Sequence, residues 1–224
     1  MACCFPPLND KGNPLQYEKP IVSLTQYDKG DPSKVFCKDL KRYNIKAFDF
    51  DSVKNDWCDS RNALAAPGKK QKIRSVDAFV NHNGSYYFIE FKFSRAEKLD
   101  DIDDDGDGID SQLRKKAIDS LALAGMTALQ DVPGRTIMDH AEFIVVYHRS
   151  FDDNEEALAR EVDAQPGIRK ISGTLHMLAD AKDSLHPKLD VKWKLARLKK
   201  DGFFRDVHTW NEDYFVDWAK KNLI

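Results

Sequence analysis

No run of apolar residues in this chain approaches the length that a bilayer-crossing helix needs, so no membrane association is expected. The opening stretch MACCFPPLND has neither a basic start nor an apolar segment long enough for a secretory signal, and a cytoplasmic protein is the expectation. Cysteine is scarce. Cys3, Cys4, Cys37 and Cys58 form no C-x-x-C pair and have no histidine at zinc-finger spacing, which argues against a small zinc module. Cys3 and Cys4 read as free thiols, and no spacing supports a bridge between Cys37 and Cys58. The six histidines (His82, His140, His148, His176, His186 and His208) never occur as H-x-x-x-H; His148, just past an apolar run, is the one placed to lie near a cleft. Internal repeats are absent, and the only biased tract is a run of aspartates.

What is there suits an ordinary globular domain. The chain has 224 residues, 42% of them hydrophobic and 32% charged, enough to bury one sizeable core. Its net charge of −2 conceals a split. Seven aspartates stand between Asp100 and Asp110, and without them the chain carries +5. Lys188 to Lys200 alone carries +5. A nucleic-acid partner is therefore compatible with the balance, because such binding depends on a local patch, whereas indiscriminate coating of nucleic acid is not.

Residues 1–32 are rich in Pro, Gly, Asn and Asp and read as an arm, with one short strand at Ile21–Leu24. Ser33 caps an expected helix whose apolar face is Val35, Phe36, Leu40 and Tyr43. A short strand follows over Ile45–Phe50, then a basic loop containing Pro67-Gly68. Ser111 opens a long helix with the stripe Leu113, Ala117, Leu121, Ala124 and Ala128, broken by Pro133-Gly134. Phe143–Tyr147 is a continuous apolar run, the pattern of a strand buried on both faces. Shorter helices are expected at Glu155–Val162 and Leu175–Ala181, with a helical, aromatic C-terminal part bearing Trp193, Phe203, Phe204, Trp210, Tyr214, Phe215 and Trp218. The expected architecture is an α/β domain with a small mixed central sheet flanked by helices.

The stretch VDAFVNHNGSYYFIEFKF, residues 76–93, reads as a hairpin turning at Asn83-Gly84, a pair suited to the positive φ angles of a type I′ turn. Facing residues then have numbers that sum to 167. Phe79 faces Phe88, Asp77 faces Glu90, and Lys92 lies on the same face. Val76, Ala78, Val80, Tyr87, Ile89 and Phe91 make the opposite, apolar face. Two opposed carboxylates repel by a few tenths to about 1 kcal/mol. A divalent cation relieves that repulsion, and Mg²⁺ in particular takes one or two carboxylates, water and phosphate oxygens. A solvated charge cluster on an open sheet face is the other reading of these three residues, but Phe79 and Phe88 share their face and speak against it.

At these residues the chain resembles the PD-(D/E)xK nuclease superfamily, which has the restriction-endonuclease-like fold. The matching pieces are VDAFV, IEFKF, the helix SQLRKKAIDSLALAG and the strand FIVVY, spanning about Ser33 to Arg149. The resemblance implies Mg²⁺ (or Mn²⁺) held by Asp77, Glu90 and the backbone carbonyl of Phe91, with Lys92 as the catalytic lysine. It implies a substrate-binding glutamine or lysine on the following helix, which Gln112 and Lys116 fill, although a polar helix face in water suits them equally. The family's proline before the first acid is replaced by Val76, and its additional helical acid maps only onto Asp39. On this resemblance the nuclease-like domain is residues 33–224, with its core at about 33–149 and a C-terminal extension at 150–224. The implied function is hydrolysis of phosphodiester bonds in nucleic acid, DNA above all, with a homodimer as one arrangement. The alternative is an inactive nuclease-fold module that binds nucleic acid or protein, such as a toxin-neutralising partner.

Two further stretches bear on function. Asp101, Asp103, Asp105 and Gly106 fit the start of a calcium loop, but Gln112 stands at the twelfth position where a bidentate Glu is needed, so a solvated acidic loop is expected. In KLDVKWKLARLKK, Lys192, Lys194, Arg197 and Lys200 could follow a phosphate backbone with Trp193 stacking; equally, Trp193, Leu195 and Leu198 could be core and the lysines surface.

Overall fold

The computed structural model describes residues 17–26, 34–62, 73–92, 108–147 and 195–224. The described chain builds one six-stranded mixed sheet with helices on both faces. Its strands are β1 (Glu18–Pro20), β2 (Lys46–Asp49), β3 (Ala78–His82), β4 (Ser85–Lys92), β5 (Ala141–Tyr147) and β6 (Asp206–Asn211), and their order in space is their order in sequence. The first four pair antiparallel; β5 joins β4 in parallel and β6 joins β5 in parallel. The helices are α1 (Phe50–Asn62), α2 (Ile109–Met126), α3 (Gly134–His140), α4 (Ala196–Lys200) and α5 (Glu212–Asn222). The β4–α2–α3–β5 stretch is the crossover that parallel pairing requires. Among the described residues no helix is long and apolar enough to cross a membrane.

The hairpin forms in the expected register. Ala78 pairs with Ile89, Phe79 with Phe88 and His82 with Ser85. Asn83 and Gly84 take φ of +50° and +78°, as the tight turn demands. The alternation of β3, β4 and β5 divides the core in two. Phe79, Tyr86, Phe88, Phe143 and Val145 face α1 and α2, together with Phe50, Val53, Trp57, Leu113 and Ala117. Ala78, Val80, Tyr87, Ile89, Ile144 and Val146 face the other side, against Leu40, Trp210, Phe215 and Ala219. Val76, expected among the latter, lies with the former, because it precedes β3 and is outside the strand's alternation.

Several local expectations are corrected. Ile21–Thr25 is a 3₁₀ turn rather than a strand, and the strand is the Glu18–Pro20 segment before it. The helix expected from Ser33 is a 3₁₀ helix over Lys38–Tyr43, entered through Cys37 at φ +57°, and only Leu40 of it is buried. Helix α2 ends at Met126, so Ala128 packs from the turn beyond it, and Pro133 introduces α3 instead of ending α2. The C-terminal part is not helical alone: Asp206–Asn211 adds β6 to the sheet. Leu195 and Leu198 are core, while Arg197 and Lys200 are exposed. Cys37 and Cys58 are free thiols belonging to opposite layers. The expected helices at Glu155–Val162 and Leu175–Ala181, His148, Trp193, the Pro67-Gly68 loop and the aspartates before Asp110 lie outside the described residues.

Candidate active site

Helix α1 begins where β2 ends because Asp49 caps it. Asp49 Oδ1 accepts the Ser52 amide at 3.0 Å and Oδ2 accepts the Ser52 hydroxyl at 2.8 Å. The first helical amide, that of Phe50, donates to the carbonyl of Asp77 at 3.2 Å. This bond ties the start of α1 to the residue just before β3. On the other side, the Phe91 amide donates to Asp77 Oδ2 at 2.6 Å. Asp77 is thus held through both its main chain and its side chain, at the end of the hairpin where the sheet meets α1 and α2.

The register that pairs Ala78 with Ile89 sets Asp77 opposite Glu90. Glu90 is 1% exposed. Its Oε1 accepts from Lys92 Nζ at 2.8 Å and from Lys116 Nζ at 2.7 Å; its Oε2 accepts from Lys116 at 3.0 Å. Asp77, Glu90, Lys92 and Lys116 therefore form one cluster of two carboxylates and two ammoniums. Helix α2 is held against it from behind: the Val76 amide donates to Ser120 Oγ at 2.8 Å and the Arg74 amide to Asp119 Oδ2 at 2.9 Å. Those two residues lie one turn beyond Lys116, on the side of α2 that meets the sheet.

The two carboxylates differ in their surroundings, and this separates their protonation. Desolvation and the neighbouring charge of Glu90 push Asp77 up to about 7, against a smaller opposing pull from Lys116, the Phe91 amide and Lys92. Burial works against Glu90 too, but Lys116 and Lys92 outweigh it and hold Glu90 below the usual carboxylate range. Burial opposes the charge of Lys116, yet Glu90, Asp77 and Asp51 overcome that and raise its affinity for the proton. The Asp77 carboxyl is thus shifted up and the Glu90 carboxyl down, a split set by their different neighbours.

The expected residues thus fall into two groups. Asp77, Glu90, Lys92 and Lys116 come together, with Phe91 adjoining through its amide. Gln112 sits one turn before Lys116 on α2, its amide bonded to the carbonyl of Gly108 at 3.0 Å. Asp39 is exposed on the 3₁₀ helix of the opposite layer and is not part of the site. The acid that the helix next to the site does supply is Asp51, the second residue of α1, which sequence reasoning misses. Its Oδ1 accepts from Ser75 Oγ at 2.5 Å and from Lys54 Nζ at 2.9 Å, and its charge acts on Lys116. A signal for it exists: Phe50, Val53 and Trp57 are spaced as one face of a helix following a capping Asp49.

As a set of donors for a hard cation, the cluster offers the Asp77 and Glu90 carboxylates, enough for an ion that keeps most of its shell as water. Among the described residues no group of three or more His, Cys, Asp or Glu side chains is gathered for metal binding. Asp77 and Glu90 are the two carboxylates here that a hydrated Mg²⁺ or Mn²⁺ could use, and both oxygens of Glu90 are already bonded by Lys92 and Lys116. Compared with known proteins, the chain matches no family model, no curated protein and no solved structure.

Proposed function

We propose that the chain is a Mg²⁺- or Mn²⁺-dependent nuclease that hydrolyses phosphodiester bonds, with DNA as the first substrate to test. The observation that carries this reading is the Asp77–Glu90 pair, set opposite each other by the hairpin register and flanked by Lys92 and Lys116. The succession of a hairpin, a helix and a parallel strand (β3, β4, α2, β5) is also what the restriction-endonuclease-like core implies. Asp77 and Glu90 are the residues that would hold the metal, with the Phe91 carbonyl beside them. The metal, when bound, would supply a water of lowered pKa and positive charge for the phosphate oxygens.

The remaining work falls to this chain's own side chains. Lys92 hydrogen-bonds the water that attacks phosphorus and keeps it oriented. Lys116 and Gln112, one turn apart on α2, face the phosphate group and hold it. The buried Phe79–Phe88 pair, next to the carboxylates along the same sheet face, keeps bulk water from that side. A nuclease of this kind works on nucleic acid in the cytoplasm, and a double-strand cut from one site per chain calls for two chains.

Incubation with plasmid, linear DNA and RNA in the presence of Mn²⁺ tests the reading. Wild-type protein is expected to cut at least one of these, and Asp77→Asn and Lys92→Met to lose about 100-fold or more of the rate. No cleavage by folded wild-type protein under any of these conditions removes the nuclease reading.

One observation favours a second reading, that of an inactive nuclease-fold module binding nucleic acid or a protein such as a toxin. The cluster is charge-balanced by Lys92 and Lys116 without any metal. Calorimetric titration with Mg²⁺ separates the two: heat of binding that disappears in Asp77→Ala belongs to the enzyme, and none in either protein belongs to the module.

A further inference from the structure

We infer that Lys116 is an exchangeable internal cation: its ammonium occupies both oxygens of Glu90 in the metal-free protein and leaves them when a divalent cation binds. The inference rests on the metal-site reading above and adds to it a mechanism of metal entry. It stands on the geometry of one carboxylate. Glu90 is buried, and both of its oxygens are already engaged, Oε1 by Lys92 and Lys116 together and Oε2 by Lys116 alone.

A divalent ion added to this arrangement would meet a cluster with no net negative charge and a carboxylate with few lone pairs left. Like charge repels it, and in a partly desolvated site that repulsion is not screened as it is in water. One ammonium must therefore give way. Lys92 is poorly placed to do so, since it lies on the same strand only two residues from Glu90 and its side chain is 17% exposed. Lys116 comes from a different element, reaches Glu90 across the sheet–helix interface and keeps 23% of its side chain in solvent. Its flexible four-carbon stem can turn without moving the backbone.

The neighbourhood of Lys116 holds negative charge besides Glu90, although Asp51 Oδ1 is itself bonded by Ser75 and Lys54. Asp51, at the start of α1, already acts on the Lys116 charge and is half exposed. A phosphate entering the site with the metal is a second anion within the same neighbourhood. The exchange thus couples two events: the metal frees the lysine, and the freed lysine becomes available to the substrate. Without the metal, the buried carboxylate remains compensated and the fold is not strained by its charge. Lys116 is in this sense a positioning residue whose effect is felt in metal affinity.

Calorimetric titration of the full chain with Mn²⁺ tests the inference, using wild type, Lys116→Met, Lys116→Gln and Lys116→Arg, alongside thermal unfolding in chelator and in Mn²⁺. Lys116→Met and Lys116→Gln are expected to bind Mn²⁺ about tenfold tighter than wild type, since no charge-assisted bonds to Glu90 need breaking. Lys116→Arg, which keeps the charge, is expected to remain within a few-fold of wild type. In chelator the Met and Gln variants should melt below wild type, and Mn²⁺ should raise their melting temperature by more than it raises that of wild type. A readout on the unaltered protein guards against variants that do not fold: reductive methylation of the Lys116 amine should speed up when Mn²⁺ is added.

Mn²⁺ bound by wild type, with equal or weaker affinity in the Met and Gln variants, overturns the exchange and leaves the metal site standing. Unchanged Lys116 labelling on saturation with Mn²⁺ does the same. No Mn²⁺ binding by wild type or by any variant overturns the metal reading itself, and the exchange with it.

Discussion

The backbone amide of Phe91 donates to Asp77 Oδ2 at 2.6 Å, so the side chain of Asp77 continues the β3–β4 ladder one step past its last ordinary backbone pair. A carboxylate used in this way is fixed in direction. It is also brought close to the charge of Glu90, which stands opposite it in the register, and both effects bear on when it takes up a proton.

Desolvation and Glu90 raise the Asp77 carboxyl to about 7 in the folded protein, while an unfolded Asp titrates near about 4. Between those values the folded chain keeps a proton that the unfolded chain has released. Stability therefore falls as pH rises through this window, and the loss is complete above the folded value. Asp77→Asn removes the slope, and the amide oxygen that replaces the carboxylate can still accept from Phe91. In chelator, urea unfolding should find the variant about 1–3 kcal/mol more stable than wild type near pH 8, an advantage that shrinks as pH falls and vanishes below about 4. A stability difference that does not change with pH would show that Asp77 titrates normally.

Glu90 makes the opposite prediction. Its removal by Glu90→Ala leaves Lys92 and Lys116 in a partly buried place without the carboxylate that both of them bond, and with Asp77 and Asp51 as neighbouring negative charges. Breaking such an arrangement from one side costs about 3–5 kcal/mol. Combining Glu90→Gln with Lys116→Met should lose distinctly less than the sum of the two single changes, because each alone strands the other's partner. Strict additivity in denaturant unfolding would mean that the Glu90–Lys116 contact contributes nothing.

The part of this architecture that can be read in advance is the part governed by local rules. The Asn83-Gly84 turn and a strict two-residue alternation determine the hairpin register, and the register alone sets Asp77 opposite Glu90. The β5 run is legible because a strand buried on both faces has no alternation to obscure it. Helix α1 is hard to recognise because its buried face is only Phe50, Val53 and Trp57 among ten mostly polar residues. Strand β6 escapes for a different reason. Its sequence DVHTWN buries Val207 towards one layer and Trp210 towards the other, which leaves no apolar periodicity of either kind. The contact between Lys116 and Glu90 joins residues 26 apart through the packing of α2 on the sheet, and no spacing within the chain encodes it.

The turn itself is open to test. Gly84 sits at φ +78° with nothing within 4 Å of the position a Cβ would take. Gly84→Ala therefore meets no clash, and its whole effect is backbone strain in the left-handed region, about 1–2 kcal/mol. The register should survive, so metal binding by Asp77 and Glu90 should be unchanged while the denaturation midpoint falls. A variant as stable as wild type would show that the turn relaxes away from positive φ.

Asp49 is the residue through which the far edge of the sheet is connected to the site. Lys19 of β1 donates to its Oδ2 at 2.5 Å, Ser52 of α1 binds both of its oxygens, and the helix it caps delivers the Phe50 amide to the Asp77 carbonyl. Burial alone would raise its pKa, but the bonds from Lys19 and Ser52 outweigh burial and lower it. The stability that Asp49 contributes is therefore present above the ordinary carboxylate range and is lost as pH falls below that range to the lowered folded value. Asp49→Ala should cost about 1–2 kcal/mol near neutrality, as the loss of a helix cap does, and the deficit should shrink in acid. Because the cap also anchors the start of α1, amide exchange should quicken at Phe50 and at Ser52 in the variant while the β4–β5 amides stay protected. Equal exchange at Phe50 in both proteins would mean that Asp77 holds the helix start without help from the cap.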